Sequence, residues 1–331
     1  METFAIEEGG YLMFRTLGML VLFGTSVALF AARAHAATLA EKLGYSVDDK
    51  LLIIHADDVG MCHSVNMATI DALKKGIVTC GSIMVPCPWF PEIAAYCREN
   101  PEVDLGLHLT LTAEWKYYRW GPVAPHSEVR GLLDEEGFMW HEEGATAQHA
   151  SPEEVEKEIR AQIERALQFG IKPTHLDSHM GTLFARPDYF SVYVKLAEEY
   201  GIPPLVVEYR EELAAHLGPG MADAFRAMVD VVKGKGFPAL DRIIPDVGGT
   251  FETKRQHYER ALRNLEPGVT EIIVHLGYAD DELKAITNSA SMRQLDYDVF
   301  TAPDMKKLTD ELGIKLIGWK ELKRLYDAEQ K

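Results

Sequence analysis

Asp57 and Asp58 follow the apolar run Leu51-Leu52-Ile53-Ile54 through His55-Ala56, so two carboxylates emerge together from what reads as a buried strand. Like charges this close resist joint ionisation unless a cation offsets them or one keeps its proton, which suits the pair to metal binding or proton transfer. Imidazoles supply the partners. His108 lies in Leu105-Gly106-Leu107-His108, His175 and His179 in Thr174-His175-Leu176-Asp177-Ser178-His179, and His275 directly after Glu271-Ile272-Ile273-Val274. Strand side chains alternate, so His175, Asp177 and His179 share one face, and any of the three could reach a common ion. A divalent cation held by mixed Asp and His ligands in an open site polarises a carbonyl and lowers the pKa of bound water.

These groups need a scaffold that gathers several strand ends. From residue 50 onward, short apolar runs alternate with longer amphipathic stretches, the pattern of repeated βα units around a parallel sheet. Strands are expected at 51–55, 79–85, 103–109, 173–177, 204–207, 242–247, 271–274 and 314–317. Helices are expected at 65–75, 91–99, 152–169, 189–200, 254–265 and 305–312. Ser151-Pro152-Glu153-Glu154 is a helix start, with an N-cap hydroxyl, proline in the first turn and acids at the positive dipole end. The fold expected is an α/β protein, a complete or distorted (β/α) barrel in a single domain, with its chemistry at the carboxyl ends of the strands.

The net charge of −17 in 331 residues argues against a nucleic-acid partner, which would require a basic surface for phosphates. Arg15, the apolar segment 17–32 and Ala34-His35-Ala36 read as a signal peptide over residues 1–36 with cleavage before Ala37. The expected product is an exported enzyme of residues 37–331 with no stable membrane insertion; the alternative is an uncleaved amino-terminal anchor. Cys62, Cys80, Cys87 and Cys97 contain no C-x-x-C pair and read as small buried residues, although export would permit one bridge, with Cys87 and Cys97 the leading pair. The stretch 114–150 carries Trp115, Tyr117, Tyr118, Trp120, Phe138 and Trp140 with few helix or strand signals, a candidate wall for a sugar substrate.

With these motifs the chain resembles the YdjC-like or ChbG-type carbohydrate deacetylases, a family related to the polysaccharide deacetylases. The likeness is carried by His55-Ala56-Asp57-Asp58-Val59-Gly60, Gly106-Leu107-His108-Leu109-Thr110-Leu111, Lys172-Pro173-Thr174-His175-Leu176-Asp177-Ser178-His179 and Val274-His275-Leu276-Gly277, and spans about residues 50–320. The resemblance implies that Asp58, His108 and His179 hold one divalent ion, magnesium or zinc, with Asp57 as general base and His275 as general acid. It makes His175 and Asp177 groups that orient the ligands. The implied reaction is hydrolysis of an N-acetylated saccharide. Tyr278 and Arg293, which follow the His275 strand, and Trp115 are candidate substrate contacts. Two departures bear on substrate preference: Met180-Gly181 follows His179 where the family often has further histidines, and Leu276 follows His275 where many relatives have proline. The competing readings are another metal-dependent esterase or phosphoesterase, and a non-catalytic carbohydrate-binding barrel.

Overall fold

A computed structural model of the chain describes residues 37–211 and 220–331. The expected signal peptide lies outside the described residues. Among the described residues seven parallel strands form one sheet: β1 (Lys50–Val59), β2 (Cys80–Ile83), β3 (Leu105–Leu109), β4 (Leu176–Ser178), β5 (Arg242–Ile244), β6 (Gly268–His275) and β7 (Lys315–Leu316). Their order is β4-β3-β2-β1-β6-β5, with β7 paired to β1 at Leu51 and Leu52. Leu51 to Ile54 are completely buried, as a parallel strand covered on both faces requires, and this is why they read as an unbroken apolar run.

The strand expected at 204–207 is reduced to single parallel bridges, Leu176 to Pro204 and Val207 to Leu240. Pro203 and Pro204 lack the N–H groups that a regular ladder uses. Even so, the Leu205 amide donates to the Leu176 carbonyl at 2.7 Å and the Leu240 amide to the Val206 carbonyl at 2.9 Å. The segment thereby joins the β4 edge to the residues leading into β5, and the curled sheet becomes a distorted (β/α) barrel.

All six expected helices are present, at His63–Lys75, Phe90–Glu99, Pro152–Gln168, Pro187–Tyr200, Phe251–Arg263 and Pro303–Glu311. The Ser151 start forms a capping box: its hydroxyl accepts from the Glu154 amide at 3.3 Å, and the Glu154 carboxylate accepts from the Ser151 amide at 2.8 Å. Sequence periodicity missed the helix Ala290–Phe300, whose buried residues include Arg293 and Asp296, charges that a reading of apolar periodicity assigns to solvent. The four cysteines are buried and unpaired. This is the reading of all four as small buried residues; the bridge that export would permit between Cys87 and Cys97 is not formed. Cys87 packs in a cluster with Met61, Cys62 and Met84, whereas Cys97 belongs to the main core.

Candidate active site

The barrel register brings the strand ends together. Asp57 pairs with His275 across β1 and β6, and His108 with Asp177 across β3 and β4. Alternation along β1 would send the Asp57 and Asp58 side chains to opposite faces. Asp58, however, has φ 62°, a left-handed conformation that aspartate tolerates better than most residues, and the pairing of β1 with β2 slips between Ala56 and Val59. The irregularity aims both carboxylates into one cleft of about 540 Å³, whose lining also includes His108, Asp177, His179 and His275.

Asp58 is the hub. Its Oδ2 accepts from the Arg293 guanidinium at 2.5 Å. Its Oδ1 is buried and accepts no hydrogen bond, although His108 Nε2 and His179 Nδ1 stand 3.4 and 3.2 Å away. Burial alone would raise the Asp58 pKa, but Arg293 and the two imidazoles hold it well below the usual carboxylate range. Each imidazole turns its other nitrogen to a carboxylate: His108 Nδ1 to Asp177 Oδ1 at 2.6 Å and His179 Nε2 to Glu114 Oε2 at 3.1 Å. Although burial opposes it, Glu114 and Asp58 push the His179 pKa up to about 9. Metal-ligating histidines generally use their second nitrogen in this way. An orphaned carboxylate oxygen facing two imidazole nitrogens, each ring fixed from behind, is a donor set that fits one divalent ion.

His275 occupies the opposite wall, its side chain 30% exposed, with Nε2 4.0 Å from both Asp57 Oδ2 and Asp58 Oδ2. Its Nδ1 lies 3.3 Å from Asp246 Oδ2, and its backbone amide donates to Asp296 Oδ2 at 3.1 Å. Lys254, fully buried, pairs with Asp246 and Asp296 at 2.7 Å each. Burial pushes Asp296 up to about 6. The same burial acts on Asp246, but bonds from His275 and Lys254 outweigh it and hold that carboxyl down. Replacing Lys254 with Met leaves the buried Asp296 and the partly buried Asp246 without their cation, so denaturant unfolding should show a loss of about 3–5 kcal/mol.

A deeper layer consists of His55, His175, Glu271 and Trp319, all fully buried. His175, expected to orient the ligands, instead contacts Thr174 and His55, because it stands under the cleft floor with its ring stacked on Trp319 at 4.8 Å. Gly106 makes room for it: a Cβ there would lie 2.5 Å from the ring.

The three candidate substrate contacts are distributed differently from the sequence reading. Arg293 lines the cleft but is engaged by Asp58. Tyr278 packs its ring on Tyr297 at 4.9 Å and is absent from the lining, since its apolar ring is covered by the neighbouring helix. Trp115 is also absent from the lining and packs against Trp120 at 5.4 Å, with the Arg293 guanidinium 6.0 Å away. The aromatic stretch is largely self-packed. Trp140 stacks on His149 and donates to the Gly131 carbonyl at 2.8 Å, while Tyr117 is 80% exposed. What this stretch contributes to the cleft is Glu114, which the sequence reading missed, as it missed Asp246 and His55. Asp246 carried a legible signal, a carboxylate just beyond a strand; Glu114, on an irregular loop, carried none.

Comparison with known proteins agrees with this architecture. The YdjC-like protein family matches residues 51–311. A carbohydrate deacetylase of Thermus thermophilus is 33% identical over 273 residues, covering 82% of this chain and 94% of that protein. One from Brevibacillus brevis is 29% identical, covering 82% of this chain and 99% of that protein. Among solved structures, a protein of Enterococcus faecalis proposed to be a cellobiose-phosphate cleavage protein superimposes with a TM-score of 0.69 at 26% identity, covering 83% of this chain and 99% of that one. A distorted parallel barrel with acids and imidazoles at its strand ends, matched over most of its length by these relatives, belongs to the YdjC-like family of carbohydrate deacetylases.

Proposed function

We propose that the chain is a metal-dependent hydrolase that removes acetyl groups from N-acetylated sugars or oligosaccharides. The observation that carries this reading is the flanking of one candidate ligand set by two different proton-handling groups, Asp57 and His275, in a single cleft. Asp58, His108 and His179 would hold the ion. Bound there, a divalent cation supplies Lewis acidity toward an acyl oxygen and lowers the pKa of water.

The remaining chemistry belongs to the chain's own side chains. Asp57 is steadied by the Ser82 hydroxyl, which donates to Oδ1 at 3.4 Å, and its Oδ2 is directed toward His108 and His275. From that position it takes the proton of the attacking water. His275 gives a proton from Nε2 to the leaving amine, while Asp246 at Nδ1 holds the ring. Asp177 and Glu114 keep His108 and His179 turned toward Asp58.

Two assays test the reading. Protein stripped with a chelator should release no acetate from N-acetylglucosamine oligomers and should recover on adding zinc or magnesium; undiminished release after verified metal removal rejects metal dependence. His275→Ala should lose about 10²-fold or more on the amide but much less on an activated aryl acetate, whose leaving group needs no proton. Equal losses on both substrates would assign His275 to positioning instead.

A further inference from the structure

Beneath the cleft floor His55 and His175 are each fully buried, and each commits Nδ1 to an oxygen outside the pair. His55 Nδ1 meets Glu271 Oε1 at 2.8 Å. His175 Nδ1 meets Thr174 Oγ1 at 3.0 Å; that hydroxyl gives its own proton to Asp104 Oδ1 at 2.6 Å and so accepts from the ring. Both rings therefore carry a proton on Nδ1 and turn Nε2 to a common point. There the two Nε2 atoms are 3.2 Å apart, Asp177 Oδ2 lies 3.5 Å from His55 Nε2, and Asp57 Oδ1 lies 3.6 Å from it. Nitrogen and oxygen donors about 2.0–2.2 Å from one tetrahedral ion are themselves roughly 3.3–3.6 Å apart.

We propose that His55, His175 and Asp177, with Asp57 Oδ1 as fourth donor, form a second divalent-cation site separate from the Asp58, His108 and His179 set. Two imidazoles and two carboxylates are a donor set that suits zinc better than magnesium, which prefers six oxygen donors. Four protein donors leave no open position, so the site is structural. Its surroundings are built as those of a metal site are: each ring nitrogen facing away is held by an oxygen, Trp319 both stacks on His175 and donates to Glu271 Oε2 at 2.8 Å, and Gly106 leaves the space that the His175 ring fills. Two carboxylates tie this site to the cleft. Asp177 offers Oδ2 here and Oδ1 to His108, and Asp57 offers Oδ1 here and Oδ2 toward His275.

The test needs no assumption about the reaction. Zinc-loaded full-length protein, freed of excess ion, is analysed for zinc content, and its crystals are measured at the zinc absorption edge. Two ions per chain are expected, with one anomalous peak among His55, His175 and Asp177. His179→Ala should keep that peak and lose the other. His175→Phe preserves a flat ring on Trp319 without a donor atom, and should lose it. A wild-type map with a peak only at Asp58, His108 and His179, or with none, overturns the proposal whatever the variants do. So does an unchanged zinc content of two in a folded His175→Phe protein.

Discussion

Asp57→Asn is expected to keep the ion held at Asp58, His108 and His179 and to lower acetate release from N-acetyl sugars by about 10²–10⁴-fold, the usual contribution of a positioned general base. The amide keeps the side-chain shape and an Oδ1 for its neighbours, Ser82 Oγ at 3.4 Å among them, but cannot take up a proton at neutral pH. Asp58 separates the two effects, because its carboxylate, not that of Asp57, lies against both His108 and His179. Metal analysis alongside steady-state rates decides the matter: a variant with full ion content and more than a third of the activity would remove Asp57 from the chemistry.

Substitution of a candidate ligand should act in the opposite order, on the ion first. His108→Ala and His179→Ala should each lose the cation held at Asp58, and activity should fall to background with it. Asp177→Asn and Glu114→Gln, which alter what holds those two rings from behind, should weaken affinity for the ion at Asp58 by about 10–100-fold and be rescued by added metal. Affinities from competition with a chelator would display this ranking. Full ion content in both alanine variants would show that the Asp58 set is not the metal centre.

The sequence made some of this visible and hid the rest for identifiable reasons. Buried parallel strands advertise themselves, so Leu51 to Ile54 and Glu271 to Val274 were legible, as were the acids and imidazoles at their ends. The Pro203-Pro204 segment looked like another strand by composition, yet it cannot donate along a ladder and survives as bridges. The helix that carries Arg293 and Asp296 was missed because its buried residues include charges, and those charges are the ones that reach Asp58 and the His275 backbone. Loop residues such as Glu114 have no period to read; only the tertiary packing brings them beside His179. The aromatic stretch was over-read, since Trp115, Tyr118 and Trp120 satisfy one another.

The measurement closest to the central claim is the joint release of acetate and primary amine from N-acetylglucosamine oligomers by metal-loaded protein. Hydrolysis of the amide yields one new amine for every acetate, with loss of both in Asp57→Asn. Acetate released only from O-acetylated sugars, with no amine formed from any N-acetyl substrate, would contradict the account.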